Sequence, residues 1–162
     1  MKSYHMRRAE KQIRGRKRLY ELLTNTNHVT IAMCKDNIPY LVTVNHCFDK
    51  NGNCVYFHCA SEGKKIDYLK ANPAVWGQVM DDLGPVEGEC SWRFRTVMFR
   101  GEARFVESKK EKRHALDLMI ERLCSNPAIE KDSLTGPSLD RVTIGRIDLL
   151  EMTGKESPAR KK

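Results

Sequence analysis

At 162 residues, with 40% hydrophobic and 31% charged residues, the chain has the makeup of one globular domain, and no apolar run approaches the roughly twenty residues a membrane helix requires. The formal net charge of +8 suggests a nucleic-acid partner until its distribution is read: residues 1–18 carry +7 and residues 155–162 carry +3, which leaves residues 19–154 at −2. The basicity belongs to the two ends, which argues against a nucleic-acid interface on the folded body. The expected organisation is a basic arm (1–18), one domain (19–155) and a basic tail (156–162). The basic start lacks an apolar core of the secretory kind, so the cytoplasm is the expected compartment.

In chain order, the arm gives way to Leu19, Tyr20, Leu22 and Leu23, whose spacing predicts a short amphipathic helix ended by Thr24, Asn25 and Asn27. Residues 28–34 alternate and are β-branched, which predicts a strand. Asp36-Asn37 then turns the chain, and residues 39–48 return antiparallel to it. Residues 49–53 contain Asn-Gly, which tolerates the positive φ of hairpin turns. A third strand over Val55, Tyr56 and Phe57 follows, so these three strands are expected to form a meander. Past His58 the pattern turns polar. Ser61, Glu62 and Gly63 supply turn chemistry, and a helix runs from Lys64 until Asn72 and Pro73 close it.

Residues 74–80 predict another strand and 81–89 an acidic loop. The longest strand signal spans 91–108, with Trp92, Phe94, Thr96 and Met98 on one face, Arg93, Arg95, Val97 and Phe99 on the other, and Gly101 at a bulge or bend. Residues 109–124 predict a helix with the apolar stripe Ala115, Leu118, Met119 and Leu123, residues 125–140 a long loop, and residues 142–152 the last strand. Six mostly antiparallel strands with inserted helices predict a mainly β fold, a small Greek-key barrel. Any cofactor would lie against its outside or at a dimer seam.

The chemistry is concentrated in residues 54–73. Lys64 and Lys65 sit in the first turn of a helix, where they oppose its dipole unless an anion answers them. A phosphate there would meet free backbone N–H groups, the Ser61 hydroxyl and one or both ammonium groups. The six cysteines show no CxxC pair and no zinc-type spacing, so they read as reduced, largely buried thiols. In the dipeptides His46-Cys47 and His58-Cys59 adjacent side chains point to opposite faces of a strand, so neither chelates a metal alone, and no metal site is expected.

Five stretches in this order resemble a known family: Met6-Arg7-Arg8, PYLVTVNH, VYFHCASEGKKIDYL, FRTVMFRGEARFVE and TGKE. Together they resemble the pyridoxamine phosphate oxidase-like flavin-binding split barrels, most closely the branch named for nitroimidazole resistance. The resemblance implies a six-stranded antiparallel split barrel and a homodimer that holds flavin mononucleotide, FMN, where two subunits meet. It places phosphate contacts on Lys64 and Lys65 with Ser61 beside them. The flavin ring edge falls along the strand of Tyr40, Val42, Thr43, Val44 and Asn45, the ribityl chain at Phe57 and His58, and the dimer mate's contribution at Arg95 and Thr96. Three positions depart from the family: Thr43 stands where many relatives have proline, Lys64 where the branch often has histidine or arginine, and Glu151-Met152 where a tryptophan is common.

The expected function is that of an FMN-dependent oxidoreductase that takes electrons from NAD(P)H and hands them to a small acceptor such as a nitro-aromatic compound or quinone, with His58 as candidate proton donor. The alternatives are a non-catalytic protein that holds flavin, haem or a deazaflavin, and a nucleic-acid binder that uses the basic arm.

Overall fold

A computed structural model describes residues 6–127 and 136–157, and among these residues seven strands form one antiparallel sheet flanked by helices. In order these are α1 (Arg16–Asn25), β1 (His28–Lys35), β2 (Ile38–Asn45), β3 (Cys47–Asp49), β4 (Cys54–Cys59), α2 (Lys64–Ala71), β5 (Ala74–Pro85), β6 (Trp92–Phe105), α3 (Lys109–Leu123), α4 (Gly136–Arg141) and β7 (Thr143–Glu156). The sheet runs β2-β1-β5-β6-β7-β4-β3. No described helix is long and apolar enough to cross a membrane.

The expected β architecture is present, with one strand more than the sequence suggested. Residues 39–48 are two strands, broken at His46. The His46 N–H donates to the Asn27 carbonyl at 3.1 Å and its Nε2 lies 3.0 Å from the Leu23 carbonyl oxygen. The first contact extends the β1–β2 register (His28 opposite Asn45) by one pair, and beyond His46, whose ring is held against the end of α1, the chain leaves β1 and enters β3 at the other end of the sheet order. The expected meander is therefore present only as two hairpins, β1–β2 and β3–β4, which the break at His46 places at opposite ends of the sheet order, with β4 pairing β3 and β7 while β2 takes an edge. β2 lies against β4 with no ladder between them, so the sheet curls round and stays open there, a split barrel.

Turn chemistry explains the joints. Asp36 (φ 51°) and Asn37 (φ 61°) are both left-handed, as a two-residue hairpin of type I′ demands. In the β3–β4 turn the positive φ falls on Asn53 (47°) rather than on Gly52. Gly52 is there for space: a Cβ would lie 2.9 Å from Asp49 Oδ2, while Asp49 Oδ1 accepts the N–H groups of Asn51 and Gly52 at 2.9 and 3.0 Å. The irregularity expected at Gly101 is present, but the extra residue belongs to the facing strand. Arg100 pairs with Glu151 and Gly101 with Leu149, which leaves Leu150 bulged out of β7.

Several elements extend beyond their expected bounds. β5 continues through residues 81–85, and β7 continues to Glu156 because β6 pairs with it along that whole length. The loop expected over 125–140 contains α4, and its residues 128–135 lie outside the described residues. The boundary placed at residue 18 falls inside α1, and Ile13 is buried, with its N–H donating to the Gly154 carbonyl at 2.9 Å.

Two apolar clusters hold the fold. Val29, Ile31, Val55, Phe57, Val97, Phe99 and Ile147 fill the barrel, closed at one side by Leu22 and Leu23 of α1. On the other face of β4 and β7, Cys47, Cys54, Tyr56 and Ile144 pack against Ala115 and Met119 of α3. Glu111 anchors α3 there: its Oε1 accepts from Tyr56 Oη at 3.0 Å and from Arg146 and Arg104 at 2.8 Å each. Burial pushes the Cys47 thiol up to about 12 and that of Cys54 to about 11, so both are unreactive near neutral pH. Burial of cysteine is narrower than expected, however: Cys34, Cys59 and Cys124 are half-buried and Cys90 is exposed.

Candidate functional site

β4 is apolar and ends where residues 60–63 break out of the sheet, and α2 begins at Lys64 after Gly63, whose φ of 119° suits only glycine. No side chain caps this helix start. Ile66, Tyr68 and Leu69 are buried and dock the helix on the barrel, which turns the Lys64 and Lys65 side chains toward the split between β2 and β4. Among the described residues neither ammonium has a carboxylate partner. Each lies over aromatic rings instead: Lys64 Nζ is 4.5 Å from the Tyr40 ring centroid and 5.6 Å from that of Tyr68, and Lys65 Nζ is 5.6 Å from the Phe57 ring. The Phe57 ring covers Gly145 so closely that a Cβ there would come within 2.1 Å of it.

The structure thus brings Tyr40, Phe57, Lys64 and Lys65 together, with exposed Ser61 on the connecting turn. Val42 and Val44 pack against the barrel core, while Thr43 and Asn45 are exposed, and the Thr43 hydroxyl is 2.9 Å from that of Thr30 on β1. Strand alternation sets His58 apart. Phe57 faces the barrel and Cys59 packs with the same core, so His58 points to the opposite side of β4 and is exposed. Arg95 and Thr96 also stand apart from the lysines within one chain. The Ala103 N–H donates to the Pro73 carbonyl just after α2, and Thr96 is seven residues back from Ala103, about 23 Å along β6. Arg95 pairs with Asp81, and Thr96 is buried, its hydroxyl donating to the Val79 carbonyl at 2.8 Å and accepting from Gln78 Nε2 at 3.1 Å.

Two side chains stand at this site that the sequence did not assign to it: Tyr68 was not singled out, and Cys59 was read only as half of a His-Cys dipeptide. Tyr68 lies one helical turn beyond Lys64, an i,i+4 spacing that could have placed both on one face. Cys59 stands near Lys65, and burial pushes its thiol up while the Lys65 charge opposes that shift.

Comparison with known proteins decides the kinship. Residues 15–156 match the model of the pyridoxamine 5′-phosphate oxidase family. The chain belongs to that family. Among solved oxidase-like folds, a candidate 5-nitroimidazole antibiotic resistance protein from Bacteroides thetaiotaomicron is similar at 27% identity and a TM-score of 0.76, over 90% of this chain and 86% of that one. A flavocytochrome from Azotobacter vinelandii (14% identity, TM-score 0.78, 96% and 73% coverage) and an FAD- and haem-binding protein from Mycobacterium smegmatis (19%, 0.76, 92% and 74%) share the fold of this oxidase-family chain. No curated protein matches it.

Proposed function

We propose that this member of the pyridoxamine 5′-phosphate oxidase family is an FMN-dependent oxidoreductase, a homodimer whose cofactor phosphate is gripped at the start of α2. The observation that supports this most directly is the pair of ammonium groups, unpaired among the described residues, at an uncapped helix start beside aromatic rings. That donor set fits a dianion attached to a planar, apolar group. When bound, FMN would supply two-electron chemistry, accepting hydride from NAD(P)H and delivering electrons to a small nitro-aromatic compound or quinone.

The protein's own part is to bind and orient. Lys64, Lys65 and Ser61 hold the phosphate, Phe57 borders the ribityl chain, and the free edge of β2 along Tyr40, Val42, Thr43, Val44 and Asn45 offers backbone groups to the ring. For His58 to donate a proton, the acceptor has to lie on the outer side of β4, where the imidazole is exposed. Arg95 and Thr96, remote from the lysines in their own chain, would serve the site of a second copy. The sheet's outer face supports that copy. Leu41 and Trp76 flank Ala32 in register, Met80 lies opposite Thr96 and Met98 opposite Gln78, which gives an apolar stripe across four strands with Leu41 63% exposed. A cytoplasmic location agrees with six free thiols.

The test is the absorbance spectrum of the purified protein, with release and identification of the chromophore. Replacing both Lys64 and Lys65 by alanine removes two charge-assisted contacts of about 1.5–3 kcal/mol each, and the expected result is FMN affinity weakened by at least about tenfold in a fluorescence titration. An unchanged affinity would move the phosphate elsewhere. A second reading, haem or FAD in place of FMN, is favoured by the two fold neighbours named for those groups and by the exposed His58 imidazole as an axial ligand. A Soret band in the same spectrum, lost in His58→Ala, would establish haem, and FAD as the released chromophore would establish FAD.

A further inference from the structure

The two lysines differ in how they are held, and the difference assigns a role to a residue outside the expected site. Lys64 and Tyr68 are four residues apart on α2, so their side chains share one face of the helix. The Tyr68 ring is buried and thereby fixed, whereas the Tyr40 ring stands half-buried on the edge strand β2. The ring centroids are 5.1 Å apart with planes inclined at 55°, a V into which the Lys64 ammonium fits at 4.5 Å from one ring and 5.6 Å from the other. Lys65 has a single ring, Phe57, at 5.6 Å.

We propose that Tyr68, through this aromatic V, is a positioning residue that presets the Lys64 ammonium to receive a phosphate dianion. The proposal rests on the flavin phosphate reading above and deepens it. A lysine side chain has four rotatable bonds, and ordering them during binding subtracts from affinity. Aromatic faces order the ammonium beforehand by attraction to the ring quadrupole, without supplying a formal negative charge. A carboxylate partner would fix the side chain as well but would neutralise it. The V keeps the full positive charge, and N–H donors directed away from the rings, for an incoming anion. Because Tyr68 is buried beneath Lys64, its effect reaches the ligand only through the phosphate.

That restriction gives the test. FMN and riboflavin differ only by the phosphate, so their affinities are measured by flavin fluorescence on the full chain. The ratio should favour FMN in the natural protein, fall by about threefold to tenfold in Tyr68→Leu, and recover in Tyr68→Phe, which keeps the ring. In a Lys64→Ala background, Tyr68→Leu should change the ratio no further. Equal weakening of both flavins, or an unchanged ratio, overturns the positioning role and reduces Tyr68 to core packing. If the natural protein binds neither flavin, the cofactor reading fails by itself. The V is then judged by inorganic phosphate, titrated against the NMR signals of the Lys64 side chain in the natural protein and in Tyr68→Phe and Tyr68→Leu. Weaker phosphate binding in the leucine variant alone supports the role, and equal binding in all three sinks it.

Discussion

His46 is wholly buried at the corner between β2 and β3, with Nε2 against the Leu23 carbonyl and Nδ1 without a hydrogen-bond partner among the described residues. Burial holds its imidazole below the usual histidine range, opposed by the backbone contacts at Leu23 and Asn27 and reinforced by the nearby charges of Arg122 and His28. The unfolded chain therefore takes up this proton more readily than the folded one. The stability that depends on neutral His46 is complete above about pH 6.5 and declines as the pH falls below that value. Urea unfolding near pH 7.5 and near pH 5.5 should show a drop for the natural protein that is smaller in His46→Gln. In the sequence His46 was visible only as half of a His-Cys dipeptide. Its role depends on a carbonyl 23 residues earlier, and no local pattern reports such a contact. The lysine pair was legible because its argument is local, a strand end, a glycine turn and a helix start within ten residues, whereas the aromatic partner on β2 required the fold.

The elements carry a similar division. The β1–β2 hairpin could be read from alternation and turn residues alone, whereas the far half of the β5–β6 hairpin was hidden in residues 81–85, whose acidic and glycine-proline makeup reads as loop. β7 could not be read to its end, because Gly154, Lys155 and Glu156 have little strand preference. They are held there by β6 on one side and by Gln12 and Ile13 on the other. Gly154 makes this docking feasible, since a Cβ would approach Leu19 to 2.3 Å. The segment ahead of α1 is thus part of the core at Ile13. Ile13→Ala should lower unfolding stability by about 2–4 kcal/mol in urea melts. A loss under about 1 kcal/mol for the alanine variant would show that the docked segment contributes little.

For the molecule as a whole, β5 is apolar on both faces. Val75 and Val79 point inward, whereas Trp76 and Met80 are exposed at 49% and 58%. The alternation identified the strand but not that its outer side needs cover, because that conclusion requires Leu41 and Met98 from other strands to be aligned with it. On the dimer proposed above, replacing Trp76 and Met80 together by lysine should give a monomer in sedimentation velocity, and the affinity for the proposed FMN should fall with it. A dimer that persists would place the seam on another surface.

The sheet order carries one more consequence, for how the molecule is made. Among the described residues β7 comes after the other six strands, and it alone joins the four strands β2-β1-β5-β6 to the pair β4-β3. On the ribosome the earlier strands emerge first, and the long ladder side of β6 that β7 will cover stays bare until residues 143–156 have cleared the exit tunnel. The newborn polypeptide is therefore at its stickiest until those residues emerge, and closure of the barrel is a single late event rather than a gradual one.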